Sequence, residues 1–369
     1  MNRAILKNED SRMDNLLGIK RFGPVTFYVE DAAHEVERLA TLLGMDIAYV
    51  PAGTDPIFGL EAADTLFILD GSPRAAALAA RYGDHIAEIG LRVADSRAAL
   101  DTARKRTTEP MRLCERTGVG YLRSPHDGDI YLRLIEDGQT PYLGMVPNPH
   151  RTRASTYAFQ RIDHIVLNTQ RIRPVIDFLV GVFGMEKVNE FTIRVENEDF
   201  MASLYSEVMG LYGTEHSVLF PLNEPLAGDD VSQIPAQLRE AGRSHAQHIA
   251  LATDNIITSI ETLRARGLGF LEFRNPAHAT EYYKDVPKRL GAITVAEALT
   301  TLRALGILVD KCGEGYLLQL FSKRLFPGKS VPFVEIIQRA SDVIGCFGDG
   351  NFAALAEALE HSMRTEARG

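Results

Sequence analysis

Three polar residues interrupt runs that otherwise read as buried strands: His164 in RIDHIVLN, His248 in AQHIALAT and Glu335 in VPFVEIIQR. Residues two apart on a strand share a face, so Phe333, Glu335 and Ile337 should point together toward an interior. An ionised carboxylate taken out of water costs several kcal/mol unless a partner compensates it. A divalent metal held with two neutral imidazoles would be such a partner. Two histidines and one carboxylate on one face leave coordination positions open for substrate and O2, as a non-haem Fe(II) oxygenase requires. Each residue alone admits a plainer account: a strand histidine hydrogen-bonded in a core, and a glutamate meeting an arginine. His245, three residues before His248, should face the other way on a regular strand.

The elements that would carry these residues come in a loose repeat. Val25–Val29 alternates as a strand, and a helix from about Asp31 ends at Leu43-Gly44-Met45. In the second half Ile162–Leu167 reads as a strand, and a helix over Ile172–Phe183 ends at Gly184-Met185. A glycine closing an apolar helical face is a stop signal. HIAEIGLRVADSRAALDTARKR at His85 parallels HAQHIALATDNIITSIETLRARG at His245, each with an aspartate able to cap a helix (Asp95, Asp254). Strand-helix-strand-strand units in two pairs suggest curved mixed sheets around a central site. Superposing the halves puts Pro24 in the place of His164 and Ile89 in that of His248, and the strand Ile130–Ile135 offers no carboxylate. The first half should therefore share the fold and lack the metal.

Residues 1–20 read as a polar tail without the apolar core of a secretory signal. Residues 140–157 hold three prolines and read as a linker between units at 21–148 and 158–369. The 369 residues exceed what one compact core usually holds. A net charge of −9 and the absence of basic runs argue against a nucleic-acid surface. No apolar stretch is long enough to cross a bilayer. Cys114, Cys312 and Cys346, odd in number and without metal spacing, suggest reduced thiols in a cytoplasmic protein.

From Arg161 to Glu360 the chain resembles the 4-hydroxyphenylpyruvate dioxygenases of the vicinal oxygen chelate superfamily. The matching segments are RIDHIVLN, PLNEP with SQI downstream, QHIALATDNIITSI, LRARGLGFL, Tyr282-Tyr283, ILVD, GYLLQLFSK, FVEIIQR and FGDGNFAAL. The resemblance implies an α+β fold of two vicinal-oxygen-chelate domains, each of paired βαβββ units forming a curved open barrel, with a C-terminal lid helix. It implies Fe(II) on His164, His248 and Glu335, catalytic roles for Asn223, Gln247 and Gln319, and substrate contacts from Gln233, Phe321, Phe333, Phe347 and Phe352. Strict alternation would turn Gln247 away from His248, so its role rests on the resemblance. Phe352, Leu355, Ala356, Leu359 and Met363 form the apolar stripe of the lid. The implied reaction is oxidative decarboxylation of an α-keto acid by O2, with ring hydroxylation and side-chain migration to homogentisate in tyrosine catabolism. A homodimer or homotetramer is implied as well.

Two positions depart from the family's pattern. Counting back from PLNEP, a pocket serine falls at Val208, and the lid has Ala356 where the family often has phenylalanine. Both changes predict a roomier, less polar pocket. They leave open a 4-hydroxymandelate synthase-like enzyme, which oxidises the benzylic carbon, or a dioxygenase of phenylpyruvate or a branched-chain keto acid. Asn223 favours ring hydroxylation over the benzylic route. A metal-free ligand-binding protein of the same superfamily is the reading from a different class.

Overall fold

The computed structural model describes residues 14–128, 130–196, 201–213, 215–230, 232–273, 275–341, 343, 345–352 and 354–359. Most of the expected tail and Met363 lie outside the described residues. In the first half β1 (Ile19–Tyr28) is followed by α1 (Ala32–Leu43), β2 (Asp46–Pro51), β3 (Ile57–Ala62) and β4 (Thr65–Asp70). Then come α2 (Pro73–Tyr82), β5 (His85–Val93), α3 (Ser96–Arg104), β6 (Met111–Leu113), β7 (Gly120–Arg123), β8 (Tyr131–Ile135) and β9 (Met145–Pro147). They build one sheet in the order β6-β7-β8-β5-β1-β4-β3-β2-β9. β1 runs parallel to β4, β5 parallel to β8, and β1 antiparallel to β5, so two βαβββ units meet back to back. β9 falls inside the expected linker and pairs with β2, so that stretch is partly a strand of the sheet.

The second half repeats the plan with β10 (Arg161–Asn168), α4 (Arg173–Phe178), β11 (Glu186–Glu196), β12 (Met201–Leu211) and β13 (Val218–Glu224). After α5 (Gln233–Ala241) follow β14 (His245–Ala252), α6 (Ile256–Ala265), α7 (Pro276–Leu290), α8 (Leu299–Leu305), β15 (Leu308–Cys312), β16 (Gly315–Phe321) and β17 (Phe333–Ala340). The sheet order is β11-β12-β13-β10-β14-β17-β16-β15. The helix expected over 172–183 stops being α-helical at Phe178. It ends in a π turn, Leu179–Phe183, closed by Gly184 in the left-handed region. The two halves share apolar packing, with the Phe22 and Phe220 rings meeting edge to face at 5.4 Å.

Two sequence-level assignments shift by one residue. Asn255, not Asp254, caps α6, its side chain accepting from the Thr258 amide, whereas Asp254 takes a hydrogen bond from Gln160. Asn255 lies as far beyond His245 as the capping Asp95 lies beyond His85. In the first half Glu88, not Ile89, holds the place of His248. Glu88 pairs with Thr26 as His248 pairs with Val166, and Ile89 faces Val25 as Ile249 faces Ile165. A slip of one residue moves every side chain to the opposite face, which is why Ile89 misled.

His85 and His245 open β5 and β14 in equivalent places. Each ring Nδ1–H donates to the carbonyl two residues earlier, Gly83 at 2.7 Å and Arg243 at 3.2 Å. Burial pushes both pKa values down to about 4. A histidine held neutral in the fold protonates first in the unfolded chain, so stability is full above pH 6.5 and is lost as pH falls toward 4. The expected loss is on the order of 2–3 kcal/mol per histidine, at about 1.4 kcal/mol per pKa unit. Urea unfolding at pH 7 and 4.5 should show a smaller acid loss in H85Q/H245Q than in the parent. Equal losses would sink the assignment.

Candidate metal centre and its cleft

β10 and β14 lie side by side in the middle of the second sheet, and each carries a bulge where the chemistry sits. Val166 faces His248 and Leu167 faces Ala246, so Gln247 is an extra residue on β14. Ile162 faces Leu251 and His164 faces Ala250, so Asp163 is an extra residue on β10. A bulge turns successive side chains toward the same side of the strand. Gln247 therefore lines the same cleft as His248, where regular alternation had turned it away. The same bulge brings His245 round toward the interior, contrary to expectation. Its Nε2 lies 3.4 Å from Asn168 Nδ2, but it is not one of the clustered ligand atoms.

Each bulged residue holds the histidine that follows it. His164 Nδ1–H donates to Asp163 Oδ1 at 2.8 Å, and His248 Nδ1–H donates to Gln247 Oε1 at 2.9 Å. Both Nε2 atoms then face Glu335, each 3.3 Å from Oε2. Glu335 is placed by β17, where it pairs with Ala250, and Phe333 pairs with His248 and stacks on its ring at 4.8 Å. Burial works against charge on His164, yet the Glu335 and Asp163 carboxylates outweigh it and leave its pKa raised. Burial prevails at His248 and lowers its pKa. At Glu335 burial is outweighed by the two imidazoles, so the carboxyl stays below its usual range.

Whether these residues fit a metal can be judged from their own chemistry. Ligand atoms from His164, His248 and Glu335 all lie within 4.8 Å of one another, and all three side chains are buried. His248 Nε2 is buried with no hydrogen-bond partner among the described residues. With both Nδ1 atoms engaged, each ring turns an Nε2 lone pair inward, as metal-binding histidines oriented by a second partner do. Two nitrogens and a carboxylate suit a divalent transition metal, and the donor set fits.

The three side chains open onto a cleft. Asn223, Gln233, Gln319, Phe321, Phe347 and Phe352 all line it. Phe333 acts on the site through the His248 ring rather than through the cleft wall. Val208 does not line the cleft; it lies opposite Pro221 in the apolar core. Ser206, directly opposite Asn223, keeps a buried hydroxyl with no partner among the described residues and, like Val208, does not line the cleft. The lid turns Phe352, Leu355 and Leu359 to the cleft; buried Ala356 lies off that wall, so it does not enlarge the pocket.

Two amides escaped the sequence reading. Asn223 Nδ2 donates to Asn168 Oδ1, Asn168 Nδ2 to Gln237 Oε1, and Gln247 Nε2 to the same Gln237 oxygen at 2.7 Å. Asn168 lies four residues past His164, and Gln237 lies four past Gln233, one turn along α5. Those spacings were the available signal. The lid turn is tied down by a second network: Gly350 N–H donates to Asp310 and Tyr282 OH to Asn351 Oδ1 at 2.6 Å. Gly348 must lack a side chain there, since it has φ of 71° and a Cβ would come within 2.1 Å of Gln319 Oε1. Another correction concerns the thiols. Cys312, ending β15, and Cys346, after β17, form a disulfide with Cα atoms 5.6 Å apart, and Cys114 alone is free. Their 34-residue separation carried no spacing signal.

Among the described residues no helix is long and apolar enough to cross a membrane. Residues 161–285 match the Glyoxalase/Bleomycin resistance protein/Dioxygenase superfamily. The chain is 28% identical to the 4-hydroxyphenylpyruvate dioxygenase of Daucus carota, over 94% of this chain and 88% of the relative. It is 32% identical to that of Sus scrofa, over 78% and 74%. A solved structure of a triply substituted 4-hydroxymandelate synthase from Streptomyces coelicolor has the same fold. It superposes with a TM-score of 0.76 at 22% identity, covering 94% of this chain and 99% of that one.

Proposed function

This chain belongs to the 4-hydroxyphenylpyruvate dioxygenase family, and from that premise we propose that it is an Fe(II)-dependent dioxygenase converting 4-hydroxyphenylpyruvate and O2 to homogentisate and CO2. The observation that carries the reading is the buried His164–His248–Glu335 cluster at the base of a cleft walled by phenylalanines and amides. Iron bound to these three side chains would supply coordination sites for a keto acid and O2, and the redox capacity for oxidative decarboxylation. The side chains do the rest. Phe321, Phe347 and Phe352 hold an aromatic ring and exclude water, and Phe333 fixes the His248 ring from behind. Asn223 and Gln247, each held by the Asn168–Gln237 pair, present polar groups in a fixed orientation. Gln233 Oε1 is buried without a partner among the described residues and is free to accept a hydrogen bond from substrate. Gln319, whose oxygen accepts from Asn351, ties substrate binding to the lid.

A wall of phenylalanines and amides favours an aromatic keto acid over a branched-chain one. Asn223 on the cleft wall favours the ring over the benzylic carbon. Within the fold, 21–148 would be the metal-free domain and 158–369 the catalytic one. A homodimer or homotetramer, as the family resemblance implies, completes the proposal.

The test is oxygen uptake by Fe(II)-loaded protein with 4-hydroxyphenylpyruvate, phenylpyruvate and 4-methyl-2-oxopentanoate offered separately, with products identified by mass spectrometry. Homogentisate from the first is the expected result. 4-Hydroxymandelate would move the function to benzylic oxidation, and turnover of another keto acid alone would move the substrate. Failure to bind Fe(II) would revive the metal-free binding protein.

A further inference from the structure

Asp163 and Arg339 have no part in the three-ligand cluster, yet they form a buried pair that touches it on one side and the lid on the other. Arg339 grips Asp163 with two hydrogen bonds, Nε to Oδ2 at 2.9 Å and Nη2 to Oδ1 at 2.7 Å. The two side chains are 17% and 7% exposed. The same Oδ1 receives the His164 Nδ1–H at 2.8 Å, so one carboxylate is shared between a guanidinium and a ligand ring. The third arm of Arg339, Nη1, donates to the Cys346 carbonyl at 2.7 Å. Its guanidinium lies 5.6 Å over the Phe347 ring, which meets the His164 ring in a T-shaped contact at 4.9 Å. Phe347 lines the cleft and begins the segment leading to Phe352. The bulge at Asp163 explains how its carboxylate comes beside the histidine that follows it.

We propose that Asp163 and Arg339 are positioning residues that set the His164 ring for metal and anchor the root of the lid with the same guanidinium. This rests on reading the triad as a metal centre. A carboxylate behind a ligand imidazole fixes the ring's tautomer and rotation and raises its basicity, and losing such a partner costs about 10- to 100-fold in metal affinity. Arg339 in turn keeps that carboxylate ionised and directed, since a planar fork holds a carboxylate in one orientation as a lysine cannot. Because Nη1 reaches Cys346 independently of Asp163, the two residues should separate in their effects.

The experiment measures Co(II) affinity by competition with a chelating dye, the Co(II) ligand-field spectrum, and kcat and KM after Fe(II) loading. D163N is expected to weaken Co(II) binding about 10- to 100-fold and shift the ligand-field bands. R339Q should do the same and also raise the keto-acid KM through the loosened lid root, while R339K should recover part of both. If a single variant fails to fold with one charge unpaired, D163N/R339Q removes both charges and is expected to show the affinity loss together with the raised KM. Unchanged Co(II) affinity and spectrum in whichever variants fold would overturn the inference while leaving the metal centre standing. A parent protein that takes up no Co(II) would overturn the underlying reading and this inference with it.

Discussion

Replacing His248 with alanine is expected to lower keto-acid-dependent oxygen uptake by at least roughly a thousandfold, a barrier increase of about 4 kcal/mol, and to strip the protein of bound iron. The expectation follows from how the ring is placed. Its Nδ1 is committed to Gln247 and its Nε2, buried and otherwise unpartnered, points at Glu335. No neighbour can substitute, because the cluster of close ligand atoms comprises only His164, His248 and Glu335 among the described residues. The fold should survive, since Glu335 keeps His164 beside it and β14 keeps its pairing to β10 and β17. Iron content by plasma spectrometry, oxygen uptake and far-ultraviolet circular dichroism decide the matter together. Exposed His34 on α1, changed to alanine, is the control expected to retain both iron and turnover. Metal-loaded, active H248A protein would refute the assignment of the centre.

A stability effect of comparable size is expected at the equivalent place in the other half. Arg133 Nε lies 3.4 Å from Glu88 Oε2, with the two side chains 1% and 4% exposed. Arg133 also donates to the Pro141 carbonyl and, at 3.4 Å, to Thr26 Oγ1, and it lies over the Tyr142 ring. Removing one partner of a buried ion pair leaves the other charge uncompensated, so R133M should cost about 3–5 kcal/mol. Burial already holds the Glu88 carboxyl above its usual range despite Arg133. A carboxyl with a raised folded-state pKa is stabilising below its unfolded value and loses that contribution as pH rises. The R133M deficit should therefore be larger at pH 8 than at pH 5.5. E88L/R133M, which removes both charges, should recover most of the loss. Urea titrations at the two pH values test this, and an R133M deficit below 1 kcal/mol would show that the pair contributes little.

The three residues of the buried cluster, His164, His248 and Glu335, were legible because polar side chains stood where alternation demanded apolar ones. Helix ends at Gly44 and Gly184 were legible for a similar reason: each adopts the left-handed backbone that glycine tolerates. What failed to show were features that exist only between strands. A bulge is a mismatch of count across a pair, so nothing local to Gln247 or Asp163 announces it. The Cys312–Cys346 pairing likewise depends on the end of β15 meeting the segment after β17. Asn168 and Gln237, as polar residues on a strand and a helix, looked ordinary until their partners were seen.

The bulges occur in both halves. Gly23 and Pro24 together oppose Gly90, as Asp163 and His164 oppose Ala250, and Ala87 is the extra residue on β5 as Gln247 is on β14. Arg133 pairs beside Gly90 as Glu335 pairs beside Ala250. The backbone shape that brings two histidines and a glutamate together is thus common to both halves of the repeat, independent of any ion. After a duplication, one copy could trade a metal for an internal ion pair, or the reverse, by exchanging Pro24, Glu88 and Arg133 for His164, His248 and Glu335. Such an exchange needs only side-chain replacement, with no strand rebuilt.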